Sequence, residues 1–238
     1  MIGVYDSGLG GLLEINKVIK DNPGADILYL GDQKNAPYGT KTKEELLTIF
    51  EKNLEVFKKH NVKDLVLACN TLCSNVDFSR DYGINLHDII TKTIANLECA
   101  KDAKVLVFAT ELTIKAGRYA RELEAAGFKN YRCASLANLA SMLESYASEA
   151  ELREYLYGEF AKIDFQPDAI ILGCTHFPIV KDIFEDYYHV KAYDSTMIDL
   201  SISNEVEEGE VYLLMDNSEE LRIFLEKYVD IGVKFFYE

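Results

Sequence analysis

The chain lacks any CxxC pair, and its five cysteines, at 69, 73, 99, 133 and 174, form an odd set outside any secretory pattern. That excludes a disulfide framework and leads us to expect reduced thiols in a cytoplasmic setting. No segment approaches the roughly 18 consecutive apolar residues of a membrane helix. Met1-Ile-Gly-Val enters a strand-like run at once, so a soluble protein without a leader is expected. Positive charge is scarce: 25 Lys and Arg stand against 40 Asp and Glu, for a net charge of −15. Nucleic acid and anionic membranes are therefore poor general partners, and an acidic ligand would need local donors such as helix N-termini. There is no Pro-, Gly- or Ser-rich linker and no low-complexity tract. His60, His87 and His189 read as surface or packing residues, and no spacing joins them into a metal site; zinc held by the cysteines is the weakest reading.

What is present is an ordinary globular composition, 48% apolar and 27% charged over 238 residues, enough for one or two domains. Two stretches share one construction, Asp64-Leu-Val-Leu-Ala-Cys-Asn-Thr71 and Asp168-Ala-Ile-Ile-Leu-Gly-Cys-Thr-His176. Each is a short apolar run of the kind buried on both faces of a parallel sheet, and each ends in a cysteine where strand gives way to loop. A single buried cysteine is ordinarily a small hydrophobe. Here Cys69 is followed by Asn-Thr and Cys174 by Thr-His, polar side chains that a dry core would not select, which favours function for the pair.

The interval between positions 69 and 174 is 105 residues, and other strand-like runs recur at about 103 to 107 residues: Ile2–Tyr5 with Val105–Phe108, Asp26–Leu30 with Lys129–Cys133, and Gly83–His87 with Val190–Asp194. A repeat of that size is a domain. The expectation is an α/β protein with two similar open parallel-sheet domains related by a pseudo-two-fold. Residues 1–93 with a returning tail at 204–238 would form the first domain, and 94–203 the second. Ligands of such sheets bind beyond the carboxyl ends of the strands, which would place Cys69 and Cys174 on opposite walls of the interdomain cleft.

Along the chain, Asp6-Ser-Gly-Leu-Gly-Gly11 is a glycine turn between strand and helix. Its order is not GxGxxG, and Asp6 and Ser7 either cap the helix or face a ligand. Thr42 and Glu45 form a capping box before a helix whose Leu46, Phe50, Leu54 and Phe57 repeat at core spacing. Pro37-Tyr-Gly39 turns the chain or lines a pocket, and Thr110 and Thr113 cap a helix or face the cleft. Leu136 to Phe160 reads mostly helical, and Phe177-Pro178 opens the next helix. After a crossing at Asn204–Gly209, strands at Val211–Met215 and Val233–Tyr237 flank a helix near Ser218–Val229.

Two thiols across one cleft suit removal of a proton from one face of a carbon and its return to the other, which is inversion of configuration. No cofactor is required, and no pattern points to pyridoxal phosphate. The motifs Asp6–Gly11, Leu30-Gly-Asp32 with Pro37–Lys41, Cys69–Thr71, Thr110 with Thr113-Ile-Lys, and Gly173–Pro178 stand in the order of one family. By them the chain resembles the glutamate racemases of the aspartate/glutamate racemase superfamily from Ile2 to about Pro178, and more loosely beyond. The resemblance implies that Cys69 and Cys174 are the catalytic acid/bases and that Asp6 and His176 assist them. It also implies that Ser7, Pro37, Tyr38, Gly39, Asn70, Thr71, Thr110, Thr113 and Thr175 hold substrate. It further implies glutamate as substrate, signalled by His176, supply of D-glutamate for peptidoglycan, and a homodimer. The chain departs from the family where Cys133–Asn138 replaces a proline-rich segment, leaving Glu144 a loose match to the family's acid. It departs again at Asp194-Ser-Thr196, where the family shows a second Asp-Ser-Gly, and at Leu86-His-Asp88. An aspartate or other acidic amino-acid racemase and a silent amino-acid-binding homologue are the competing readings.

Overall fold

The structure, a computed structural model, describes residues 1–202, 209–229 and 234–235. Two parallel sheets organise these residues. The first half of the chain supplies β1 (Ile2–Asp6), β2 (Ile27–Gly31), β3 (Asp64–Leu67) and β4 (Asn85–Asp88), with helices α1 (Leu12–Asp21), α2 (Lys43–Lys59), α3 (Asn70–Asn75) and α4 (Ile89–Ala95). The second supplies β5 (Lys104–Ala109), β6 (Asn130–Ser135), β7 (Ala169–Gly173) and β8 (Ala192–Tyr193). Its helices are α5 (Glu111–Ala116), α6 (Arg118–Ala125), α7 (Leu139–Glu144), α8 (Glu149–Phe160) and α9 (Lys181–Tyr188).

The strand orders are β2-β1-β3-β4 and β6-β5-β7-β8, the same topology twice, as the repeat in the sequence implied. The first sheet is extended beyond β2 by β9 (Val211–Leu214) and β10 (Lys234–Phe235), which flank α10 (Glu219–Tyr228) in sequence. The tail thus lies on the first sheet. The expected crossing at Asn204–Gly209 falls outside the described residues except for Gly209, and of the expected strand at Val233–Tyr237 only Lys234–Phe235 is described.

Local chemistry accounts for most boundaries. The Thr42–Glu45 capping box forms, and a second one, Ser148–Glu151, divides the run read as mostly helical into α7 and α8. Pro178 sits at the start of a 3-10 turn, Phe177–Val180, that leads into α9. β6 is longer than the run read at Tyr131–Cys133 because it pairs with β5 along its whole length, from Lys104–Asn130 to Ala109–Ser135.

The core explains how the two halves stay together. On β5 and β7, Leu106, Phe108, Ile170 and Leu172 pack with α7, α8 and α9, while Val105, Val107, Ala169 and Ile171 belong to a cluster continuous with the first sheet. Successive side chains of a strand leave on opposite faces, so one face of this sheet builds its own core and the other is shared. Leu46, Phe50, Leu54 and Phe57 of α2 are all buried in that shared cluster.

One buried group has a measurable consequence. Glu14 of α1 is fully buried; Ser195 donates to its Oε1, and its Oε2 has no hydrogen-bond partner. Burial, followed by the charges of Asp194 and Asp6, pushes its carboxyl up to about 8, against the Ser195 hydrogen bond and Lys17. The folded chain therefore keeps a proton that the unfolded chain releases above about 4.5. Stability should fall as pH rises from there through about 8, by an amount on the order of a few kcal/mol. Glu14→Gln should flatten that fall in denaturant midpoints measured across this range; a variant with the wild-type slope would show that Glu14 is not its source.

Candidate active site

The two sheets present the carboxyl ends of their strands to one small, narrow cavity. The first unit contributes Ser7 after β1, Ala36 to Gly39 after β2, and Cys69 to Thr71 after β3. The second contributes Thr110 after β5, Ala140, Ser141 and Glu144 of α7, and Cys174 to Thr175 and His176 after β7. Both sulfur-bearing residues line this one void although they are only 5% and 7% exposed, so a ligand there would be shielded from bulk water. Larger depressions exist, one beside Lys43, Phe78 and Arg121, but they contain neither Cys69 nor Cys174.

Glycine permits the close approach of the two units. A Cβ on Gly10 would lie 2.6 Å from both Thr175 Oγ1 and His176 Nδ1; within the first unit, one on Gly11 would lie 2.4 Å from Asp6 Cβ. Asp6 is fully buried, and its Oδ2 accepts from the amides of Gly8 at 3.1 Å and Gly11 at 3.0 Å. Its Oδ1 is 3.4 Å from Thr175 Oγ1, so the carboxylate shapes the glycine turn and ties it to the loop that carries Cys174.

The two thiols have different surroundings. Cys69 stands at the N-cap of α3, with its Sγ 3.8 Å from Ser7 Oγ. Burial, and after it the charge of Asp6, pushes its thiol well above the ordinary range, so the resting group carries its proton. Cys174 Sγ lies 3.9 Å from His176 Nδ1, and His176 Nε2 lies 2.9 Å from Glu144 Oε1. Burial alone would lower the His176 pKa, but the hydrogen bonds to Cys174 and Glu144 outweigh it and hold the imidazole well above its usual value. Glu144 answers in kind: burial would raise its carboxyl, but the hydrogen bond and charge of His176 keep it below the usual range.

Hydroxyls and an amide line the cavity or stand directly behind its lining. Thr71, Thr110 and Thr113 form a triangle of Oγ1 atoms at 2.9, 2.8 and 3.1 Å, and Thr110 also caps α5. Asn70 Oδ1 accepts from Tyr119 OH at 2.6 Å, which fixes the amide and leaves Nδ2 buried without a partner. A wall rich in O–H and N–H donors is what a carboxylate needs in a protein of net charge −15. Among the described residues no group of three or more His, Cys, Asp or Glu side chains could hold a metal ion.

The sequence profile of the Asp/Glu/hydantoin racemase family matches residues 13–200. The chain belongs to that family. A glutamate racemase of Clostridium botulinum (strain Alaska E43 / Type E3) is 36% identical over 205 residues, 83% of this chain and 78% of that protein. Among solved structures, a glutamate racemase of Bacillus anthracis superimposes with a TM-score of 0.88 at 22% identity, covering 99% of this chain and 96% of its own. The glutamate racemase of Francisella tularensis subsp. tularensis, solved in complex with D-glutamate, does so with 0.86 at 25% identity, covering 98% and 95%.

Of the residues singled out in this racemase from sequence, all but Asp6 and Thr113 line the cavity; those two stand behind the wall and bond to it. Ala36, Ala140 and Ser141 line it unannounced, and Tyr119 supports Asn70 from α6. Only a turn and an unremarkable helical run marked these positions, since contact across the cleft leaves no local pattern.

Proposed function

We propose that this racemase interconverts L- and D-glutamate without an added cofactor, with Cys69 and Cys174 as the two proton-transferring groups. The observation that carries the reading is the pair of thiols lining one small cavity, each at a strand end of a different unit. A thiolate on one side takes the α-proton, leaving a carbanion whose charge spreads into the α-carboxylate; the thiol on the other side protonates the opposite face. The reverse reaction exchanges the two roles. His176, in reach of Cys174 and held by Glu144, takes up and returns the proton on that side. The raised Cys69 pKa suits the donor role in the resting enzyme.

Asn70, Thr71, Thr110 and Thr175, with the Pro37–Gly39 backbone and Ser7, hold the substrate's carboxylates and ammonium group, and Asp6 and Thr113 hold that wall in place. Glutamate is favoured over aspartate by His176 after Thr175 and by the glutamate racemases among its relatives. The enzyme would work in the cytoplasm as a homodimer, supplying D-glutamate to peptidoglycan. Its two domains would be residues 1–93 with 204–238, and 94–203.

In deuterated water, L-glutamate should gain α-deuterium and lose optical activity, with L-aspartate slower by about 10- to 100-fold. Absence of exchange from glutamate at high enzyme concentration would refute the activity, and faster exchange from aspartate would move the assignment to the shorter substrate.

A further inference from the structure

The Tyr38 side chain does not serve the cavity that its residue lines. Tyr38 is 1% exposed, and its hydroxyl turns into the protein, where it donates to Asp32 Oδ2 at 2.6 Å. Having spent its proton there, it accepts from Tyr5 OH, also at 2.6 Å. Tyr5 OH in turn accepts from Asn53 Nδ2 at 2.8 Å, and the same nitrogen reaches Asp32 Oδ2 at 3.0 Å. Donors and acceptors match around this ring in one direction only, so the network has a single arrangement. Packing reinforces it: the Tyr5 ring stacks on Phe50 and meets Tyr38 edge-on, with centroids 6.2 and 6.4 Å away.

Tyr5 also reaches the other side of the site. Its backbone oxygen accepts from the amides of Ala68 at 2.9 Å and Cys69 at 3.3 Å. One residue of β1 thus holds the loop bearing Cys69 by its backbone and the loop bearing Pro37, Tyr38 and Gly39 by its hydroxyl. The second loop abuts the opposite unit, since a Cβ on Gly39 would lie 3.2 Å from Thr110 Cβ. The loop is therefore held between the hydroxyl network on one side and Thr110 of the other unit on the other.

We propose that Tyr5 is a positioning residue for substrate binding, acting with Asp32 and Asn53 through Tyr38 to hold the Pro37–Gly39 backbone against the ligand. This rests on the glutamate reading above for the identity of the ligand. Burial holds both phenols well above their ordinary range, so they act as neutral hydrogen-bonding groups and exchange no proton with substrate.

Tyr5→Phe keeps the ring and removes the hydroxyl. Loss of one such bond corresponds to about a tenfold effect on ligand affinity. The expected result is KM for glutamate raised about tenfold, kcat within about threefold, and an unshifted pH profile. Asp32→Ala should act in the same direction and more strongly, whereas Asp32→Asn, which keeps an acceptor for Tyr38, should restore most of the wild-type KM. Calorimetric titration of D-glutamate into the same variants gives the affinity independently of turnover. Loss of exchange in the wild type would remove the racemase reading, yet a tenfold weaker D-glutamate affinity in Tyr5→Phe would still uphold the positioning role. Unchanged KM and affinity in Tyr5→Phe, a fall in kcat alone, or equal effects of Asp32→Ala and Asp32→Asn would overturn it.

Discussion

Cys69→Ser and Cys174→Ser are each expected to slow glutamate racemisation by roughly a thousandfold while leaving one-sided exchange of the α-proton. A serine hydroxyl is far too weak an acid to take over either proton transfer, so removing one sulfur deprives one face of the substrate of its base and its donor. The surviving thiol still sees its own face and can remove and return a proton there. Each variant should therefore exchange deuterium into one enantiomer only, and the two variants should choose opposite enantiomers. The measurement is deuterium incorporation into L- and D-glutamate followed separately, with optical rotation as the readout of inversion. Racemisation at near wild-type rate in both variants would rule out the two-thiol mechanism. Both variants exchanging the same enantiomer would rule out thiols on opposite faces.

His176 and Glu144 give the second large effect, because they serve one thiol and not the other. Cys174 Sγ is 3.9 Å from His176 Nδ1, whereas Cys69 has Ser7 as its side-chain hydrogen-bond partner. His176→Ala should lower racemisation by about a hundredfold. The equilibrium constant between enantiomers is unity, so kcat/KM must fall equally in both directions. The asymmetry must therefore appear in exchange without inversion, where the enantiomer deprotonated by Cys69 should lose less. Glu144→Gln tests the same dyad through pH. The sign follows from the shift: the hydrogen bonds to Cys174 and Glu144 raise the His176 pKa above its usual value, against burial. Removing the Glu144 charge lowers it, so activity that depends on the protonated imidazole should fail at a lower pH than in the wild type. A Glu144→Gln profile whose basic limb stays in place would separate Glu144 from the proton transfer.

The departures from the family pattern take on a physical meaning in the fold. Glu144, a loose match by sequence because Cys133–Asn138 replaces the family's proline-rich segment, nevertheless reaches His176 at 2.9 Å from the last turn of α7. At Asp194-Ser-Thr196 the chain places Ser195 against the buried Glu14, and Asp194 Oδ1 accepts from Thr196 N at 2.9 Å. Glu144 thus lies beside the cavity, and Ser195 ties its changed segment to α1.

The sequence by itself determined the duplicated α/β plan, because apolar runs bounded by polar residues and repeated at a near-constant interval are a local signal of buried parallel strands. It also marked the residues after the strands, since a thiol followed by Asn-Thr or Thr-His is out of place in a core. Tertiary structure alone decided what those residues share. That Cys69 and Cys174 open into one void, that Asp6 reaches Thr175, that Tyr5 holds two loops and that Ser141 and Ser7 line the same cavity are all relations between segments far apart in sequence. They follow from how the two sheets pack on one continuous core, and packing of that kind is set by the shapes of many side chains together, which no short stretch of sequence carries.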